Sequence, residues 1–461
     1  MNDETYDLVV LGGGAGGVPA AIRGAGLGGR VALIEAGDLG GLCMNRGCVP
    51  FCYLGEASGI LGDIDRGKGM GLNLSGTGAD YASMGKQRNA LIDRMRLGVK
   101  GLLKRKGVRV IQGRGRLTGR GKVEVNGETV AYRNLILATG ATWIMPEFPG
   151  ADLEGVMTSD GLLGEEALPA RALLFGESRW LVEIGQFLRR FGSEVALAAT
   201  DKNLLSGEDK AVRSRLIRVL KDQGIQIFTG AEVVKLSRKD EGLHASLRVK
   251  DKEESVTVDR FIVLNRRAAL KGLGLDMVGL DGEGEFLRTN DRMETGVPGV
   301  YAIGDLTAPE QGHYSHTASV EGMIAAENAM GLDRRLNSRI IPRVLFTQPQ
   351  AASVGLTRKE AKDAGYDVVV GSAPLSMNTL GMILSHSEGL VEIVSERRYG
   401  EILGVHMLGR QAGEMIGQGV LAMQLEATLE DLAGTAFPHP TLSEFLAEAA
   451  REALGRTIYI P

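Results

Sequence analysis

Residues 6–35 constrain the fold more than any other stretch. "YDLVVL" (6–11) is a short apolar run of buried-strand type. It leads into Gly12, Gly13, Gly14, Ala15, Gly16 and Gly17, then the helical "VPAAIRGAG", then a second apolar run, "RVALIE", that ends at Glu35. A glycine-rich turn between strand and helix, with an acid at the end of the second strand, is the pattern of a dinucleotide-binding βαβ unit. Gly12 makes the turn, Gly14 lets the backbone approach a pyrophosphate, Gly17 packs helix on strand, and Glu35 takes a ribose hydroxyl. A merely glycine-rich turn would account for the glycines but not for both strands and the acid.

The same hydrophobic pattern returns from Ala172, in "ALLFGESRWLVEIGQFLRRFGSEVALAAT". The phosphate loop does not return with it. Gly176 fills the first glycine position, but Ser178 and Leu181 stand at the second and third, and the strand ends at Ala199 and Thr200 with no acid before Asp201. Ser178 places a Cβ where a pyrophosphate would approach. Glu177 adds a negative charge nearby, and two like charges at ~4 Å cost roughly 4 kcal/mol at an effective dielectric of 20. Arg179 offsets part of this. We expect a second Rossmann unit with an altered nucleotide site; the competing reading is a variant loop that still binds a nucleotide.

Between the units lies "GGLCMNRGCVP" (40–50), which carries two of the chain's three cysteines, Cys43 and Cys48, with four residues between them. That spacing lets a short loop close a disulfide. Pro50 suits the first turn of a helix, so a helix is expected to start near Cys48. A thiol at a helix N-terminus ionises more easily. The pair reads as a redox-active dithiol, with a structural disulfide or two buried thiols as the plain alternative. Metal binding is poorly supported, because no second cysteine pair or histidine cluster completes a ligand set.

A length of 461 residues implies about three domains. A net charge of −4 with no basic block argues against nucleic acid as a partner. No run of 18 apolar residues marks a membrane span, and the N-terminal residues enter a strand directly, so no signal peptide and a cytoplasmic location are expected. Further along, "GVPGVYAIGDL" is a strand ending at Gly304 and Asp305, and "HTASVEGMIAAENAMG" is a helix behind it. From about Arg343, alternating strands followed by helices suggest an α+β domain.

Taken together, "GGLCMNRGCVP", "LGGGAGG…IE", "ILATG", "VYAIGD" and "HPTLSE" resemble the FAD-dependent pyridine nucleotide–disulfide oxidoreductases, in family order and over essentially the whole chain. The tail "HPTLSEFLAEAA" and "ILGVHMLG" are most similar to dihydrolipoamide dehydrogenases, while mercuric reductases typically carry a C-terminal cysteine pair that "RTIYIP" lacks. The resemblance implies an α/β chain of two Rossmann-like domains, FAD-type and NAD(P)-type, plus a C-terminal α+β dimerisation domain. Residues 1–144, completed by 269–335, would form the FAD domain, 145–268 the NAD(P)-type domain and 336–461 the dimerisation domain. Gly12, Gly14, Gly17 and Glu35 would bind the adenosine half of FAD, with Thr139, Gly140, Gly304 and Asp305 completing the site. Cys43 would be the interchange thiol and Cys48 the thiolate against the flavin. His439 would be the general base, oriented by Glu444 and supplied by the other subunit of an obligate homodimer. A histidine titrating near neutrality, with its tautomer held by a carboxylate, suits the removal of thiol protons. His316 is expected near the flavin and His406 as an ordinary strand residue.

Two departures bear on electron flow. One is the broken second glycine motif. The other is Phe51 and Cys52, where the family has a small or polar residue and then a lysine. That lysine pairs with a glutamate which Glu183 matches, so Glu183 is kept without its partner. Cys52 falls one helical turn beyond Cys48 and reads either as a small buried residue or as a third redox thiol. Both departures lie on the nicotinamide face. The expected activity is therefore dithiol–disulfide exchange between a lipoyl-carrying protein and FAD through Cys43 and Cys48, onward to NAD+ if the altered site binds it. The alternative is an NAD(P)-independent flavoprotein exchanging electrons with a ferredoxin or another redox protein. A non-catalytic docking subunit fits poorly with an intact dithiol, His439 and Glu444.

Overall fold

The structure, a computed structural model, describes residues 5–75, 78–176, 179–239, 241–307, 314–385 and 388–461. It opens with β1 (Tyr6–Leu11), α1 (Gly17–Gly26) and β2 (Val31–Glu35). The dithiol segment forms α2 (Gly41–Asn45) and the start of α3 (Cys48–Gly69), followed by α4 (Tyr81–Arg105), β3 (Arg109–Gln112), β4 (Arg116–Gly119), β5 (Lys122–Val125) and β6 (Glu128–Leu137). The first sheet runs β3-β2-β1-β6-β5-β4, parallel from β3 to β6 and antiparallel beyond it. Leu8, Val9 and Val10 of the central strand are all buried, as expected where helices cover both faces of a parallel sheet. The turn is as tight as its glycines imply. Gly12 holds φ +111°, and a Cβ on Gly17 would lie 1.8 Å from the Gly12 carbonyl oxygen.

The middle of the chain runs β7 (Ala141–Trp143), β8 (Val156–Thr158), α5 (Ser159–Gly164), β9 (Arg171–Gly176), α6 (Trp180–Arg190), β10 (Glu194–Ala199), α7 (Lys210–Asp222) and β11 (Gln226–Thr229). An antiparallel trio follows, β12 (Ala231–Lys239), β13 (Gly242–Val249) and β14 (Lys252–Val258), then β15 (Arg260–Val263) and β16 (Arg266–Ala268). The second parallel sheet is ordered β11-β10-β9-β15-β8. Leu181, in the third glycine position of the echoed motif, is fully buried. The close helix–strand approach moves one turn on, to Gly185, where a Cβ would lie 2.6 Å from a Leu197 methyl. The Rossmann geometry survives because another glycine takes over the packing. β16 pairs antiparallel with β7, setting Arg266 beside Trp143.

The chain then returns to the first sheet through β17 (Val300–Ala302), parallel to β6, and α8 (Ser315–Ala329), whose Gly322 packs against the Gly16 carbonyl. The C-terminal elements are β18 (Arg343–Leu345), β19 (Gln350–Gly355), α9 (Arg358–Asp363), β20 (Val368–Pro374), α10 (Thr379–Ile383), β21 (Leu390–Glu396), β22 (Ile402–Gly409), α11 (Ala412–Gln424), α12 (Leu429–Gly434) and α13 (Glu444–Ala453). Their sheet, β18-β19-β22-β21-β20, is antiparallel throughout. One core joins Phe51 and Leu54 of α3, Trp180, Leu181 and Phe187 of α6, and Leu345 and Leu408 of the C-terminal sheet. Among the described residues, no helix is long and apolar enough to cross a membrane.

Candidate active site

The dithiol loop is fastened to the first glycine turn. The Gly40 N–H donates to the Gly13 carbonyl at 2.8 Å, and Gly40 and Gly41 hold φ +97° and +58°, so the chain reverses directly over the turn. Asn45 closes the short α2 by donating to the Leu39 and Gly41 carbonyls, and Arg96 of α4 donates to the Asn45 side chain at 2.6 Å. α3 begins at Cys48, with Pro50 buried in its first turn where no helical N–H is missed.

Cys43 and Cys48 are both free thiols. The Cys43 thiol donates to the Cys48 sulfur, and this contact does most to bring Cys48 down to about 6. Burial opposes the shift, while Ser315 and the Arg179 charge assist it. The same pairing raises Cys43, so the proton of the pair sits on Cys43 and the negative charge on Cys48. Ser315, at the start of α8, lies 3.3 Å from Cys48 Sγ.

Both cysteines open into a cavity of about 420 Å³ that is also lined by Gly12, Gly14, Glu35, Thr139, Gly140, Gly304 and Asp305. Nine of the residues singled out in the sequence thus converge on one space. Gly17 does not line it; its place is in the helix–strand contact. A Cβ on Gly14 would meet the protein only at Gly41 Cα, 3.8 Å away, so this glycine is not demanded by protein packing and keeps the cavity open. The Glu35 carboxylate accepts the Gly13 and Gly37 N–H groups, each at 2.6 Å. Asp305 pairs with Arg266 Nη1 at 2.7 Å within the cavity wall. Gly304 takes φ +67°, and its N–H donates to the buried Glu321 of α8.

His439 and Glu444 lie apart from this cavity within one chain. His439 Nδ1 is 2.8 Å from Glu444 Oε1, and the other Glu444 oxygen accepts the Thr441 N–H, so the carboxylate fixes both the ring and the loop it sits on. The imidazole is exposed. His316 bonds the Pro342 carbonyl and does not line the cavity, while His406 is fully buried in β22.

Residues 6–329 match the family model described as pyridine nucleotide–disulphide oxidoreductase, and 341–450 match the dimerisation domain of the same family. The chain belongs to this family. It is an FAD-dependent disulfide oxidoreductase. It is 39% identical to a dihydrolipoyl dehydrogenase of Thermus scotoductus, covering 99% of both chains. It is also 33% identical to one of Bacillus subtilis, over 98% of this chain and 99% of that one. A mercuric reductase of Staphylococcus aureus is 31% identical over 97% of this chain and 82% of its own. Among solved structures, LpdA of Mycobacterium tuberculosis superposes with a TM-score of 0.88 at 24% identity, covering 96% of this chain and 98% of that one. At that identity the likeness speaks for the fold alone. The dimerisation domain makes a homodimer the expected assembly of this oxidoreductase.

The other side of the oxidoreductase's cavity is unusual. A second cavity, of about 690 Å³, opens at the carboxyl ends of the second parallel sheet, beside Ala199, Leu264 and Asn265, where open α/β sheets bind ligands. Glu177 and Ser178 of the altered loop lie outside the described residues. Trp180 is buried, edge-on to Phe51 at 5.6 Å and to Trp143 at 6.3 Å, with the Arg266 guanidinium 5.4 Å from its ring. Phe51 is thus an aromatic brace. Burial pushes the Cys52 thiol up to about 12, helped by Glu183, which makes it a poor nucleophile and fits the reading of a small, partly buried residue. Glu183 is raised to about 7 by burial, against the Arg179 charge and the N–H of Phe346, which donates to Oε1 at 3.1 Å. Sequence reasoning missed Ser315, Glu321 and the Arg266–Asp305 pair. The first two lie in the "SHTASVEG" stretch, which was read as a helix and for its histidine but not for its serine or glutamate.

Proposed function

We propose that the chain oxidises a lipoyl-type dithiol, carried by a protein, at the Cys43–Cys48 pair, and that NAD+ takes the electrons onward. The observation that carries this reading is the opening of the thiol pair into the cavity lined by Gly12, Gly14 and Gly304. Gly12, Gly14 and Glu35 would hold the adenosine side of FAD and Gly17 the turn behind it, with Thr139, Gly140, Gly304 and Asp305 on the remaining wall. The open face at Gly14 fits such a ligand. Bound FAD supplies a two-electron acceptor beside the dithiol.

In this reading the substrate thiolate attacks Cys43 Sγ of the enzyme disulfide. The Cys43–Cys48 bond breaks and Cys48 leaves with the electron pair as a thiolate. His439 of the partner subunit, oriented by Glu444, takes a proton from each substrate thiol in turn, the first passing on to solvent. The second substrate thiolate then displaces Cys43 from the mixed disulfide, and Cys43 regains a proton from the imidazolium. The products are the cyclic substrate disulfide and the enzyme pair, with Cys43 as thiol and Cys48 as thiolate. The low Cys48 pKa makes it the better leaving group.

The names of the full-length relatives support the lipoyl substrate. They also leave the NAD(P)-independent alternative, exchange with a ferredoxin or other redox protein, not favoured. The order of the sheets supports a division into 1–144 with 269–335, 145–268 and 336–461, and a cytoplasmic location suits a close cysteine pair that is catalytic and not structural. The test is anaerobic titration of the purified flavoprotein with dihydrolipoamide, then with NAD+ and NADP+. Reduction with a long-wavelength band that NAD+ discharges is the expected result. A band that persists with both nucleotides refutes NAD+ as acceptor, and no reduction by any dithiol refutes the whole reading.

A further inference from the structure

Ala141, Arg179, Trp180, Arg266 and Arg267 line both cavities and so form the wall between them. Arg179 caps α6 in the altered loop, where the residue pattern of a nucleotide site has been lost. Its guanidinium carbon lies 3.5 Å from the centre of the Tyr314 ring, a stacked cation–π contact. Tyr314 caps α8, and the next residue, Ser315, contacts Cys48 Sγ. A cation from the second unit is thereby clamped on the residue next to a ligand of the active sulfur.

The groups that face Cys48 come from every element around it. Those that act on it most are Cys43 from α2, Cys52 from its own helix, Ser315 from α8, and Arg179 and Glu183 from the start of α6, while Arg46, Arg266, Arg267, Lys271 and Asp305 line the same cavity. Cys52 and Glu183 can only add negative charge. Arg179 is the cation that acts to lower Cys48 among these closest groups. Where the resemblance calls for a lysine at position 52, the chain has instead a cation arriving from the neighbouring unit.

We propose that Arg179 is a positioning residue for the dithiol: held on Tyr314 in the wall of the cavity, it stabilises the Cys48 sulfur as the thiolate that departs when Cys43 is attacked. The inference rests on the assignment of Cys43 and Cys48 given above. The chemistry is simple. As the Cys43–Cys48 bond breaks, the electron pair collects on Cys48 Sγ, and a fixed cation in a partly buried wall favours that charge more than water-screened charge would. The Arg179 charge also acts to lower both Cys48 and Glu183, in keeping with this placement.

The test uses the flavin-loaded protein carrying Cys43→Ser, in which Cys48 is alkylated by iodoacetamide across a pH series and its peptide is quantified by mass spectrometry. Added Arg179→Gln is expected to move the midpoint up by about one pH unit, slowing alkylation about tenfold below it. Arg179→Lys is expected to restore most of the shift, and Tyr314→Leu, which removes the clamp, to give a smaller shift in the same direction. Tyr314→Leu alone carries the test if the glutamine variant does not fold. A glutamine variant with the parental midpoint, or glutamine and lysine variants shifted equally, overturns the proposal. Failure of the parental enzyme to accept dihydrolipoamide would refute the substrate assignment while leaving this titration readable.

Discussion

The two strand–turn–helix units of this chain, β1-α1-β2 and β9-α6-β10, share a topology and differ in the turn, most plainly at its far side. In the first, Gly17 sits so close to the Gly12 carbonyl that no side chain fits; in the second, the matching Leu181 is a buried core residue. The second unit keeps its helix on its sheet by moving the contact to Gly185. What it gains is a buried Leu181 and Trp180 packed on Phe51 of the dithiol helix. One copy leaves a cavity open at Gly14; the other supports its neighbour through what it adds. Parallel-sheet architecture tolerates both, because the strands and the helix carry the fold while the turn carries the chemistry.

On the proposed reading the exchange chemistry lies beside the first unit, and the largest effects should appear there. Cys48→Ser is expected to abolish turnover and the long-wavelength band, while Cys43→Ser keeps the band and loses dithiol exchange; stopped-flow absorbance distinguishes them, and the reverse pattern breaks the assignment. His439→Gln should lower kcat for dihydrolipoamide about 10²–10⁴-fold, and Glu444→Gln less, since it acts through the ring; an unchanged kcat would remove His439 from the mechanism. A paired substitution probes the turns themselves. Gly17→Ala should yield protein that no longer retains flavin, read as lost yellow colour, whereas Leu181→Ala should keep its flavin and lose about 2–5 kcal/mol of stability in urea melts. Similar outcomes for both would dissolve the contrast.

The smallest effect concerns how the second unit meets the C-terminal sheet. Glu392 of β21 is buried and raised to about 7, by burial and by Asp209 at the start of α7, with Arg358 and Arg215 opposing and Glu452 adding to it. Its folded pKa exceeds its unfolded one, so the folded state binds the proton more tightly, and stability falls as pH rises from about 4.5 to about 7. Glu392→Gln should therefore match the parent near pH 4.5 and exceed it by about 1–3 kcal/mol at pH 8, in urea melts at both pH values.

Much of the site was legible because its signals are local. Glycine spacing, the position of Glu35, the Cys43–Cys48 interval and the start of α3 at Cys48, signalled by Pro50, each depend on residues near one another in sequence. The fold class followed from apolar runs whose periodicity needs no partner. The contacts that escaped notice join distant residues: Cys48 with Ser315, Arg266 with Asp305, Arg179 with Tyr314. No spacing rule connects such pairs until the sheets bring them together. His439 was singled out by the family resemblance and not by its own surroundings, and within one chain it lies away from the thiols, so the proposed role requires a second subunit.

The core shared by Phe51, Trp180 and Leu345 has a practical consequence. The second unit is not a cassette that can be cut out or exchanged for a relative's. Excision would expose three apolar faces at once, each left without its counterpart, and chimeras joined at the obvious sequence boundaries would have to be rebuilt along that seam. For the same reason heating should melt the chain in one step, and a protease should find no intermediate fragment that survives by itself.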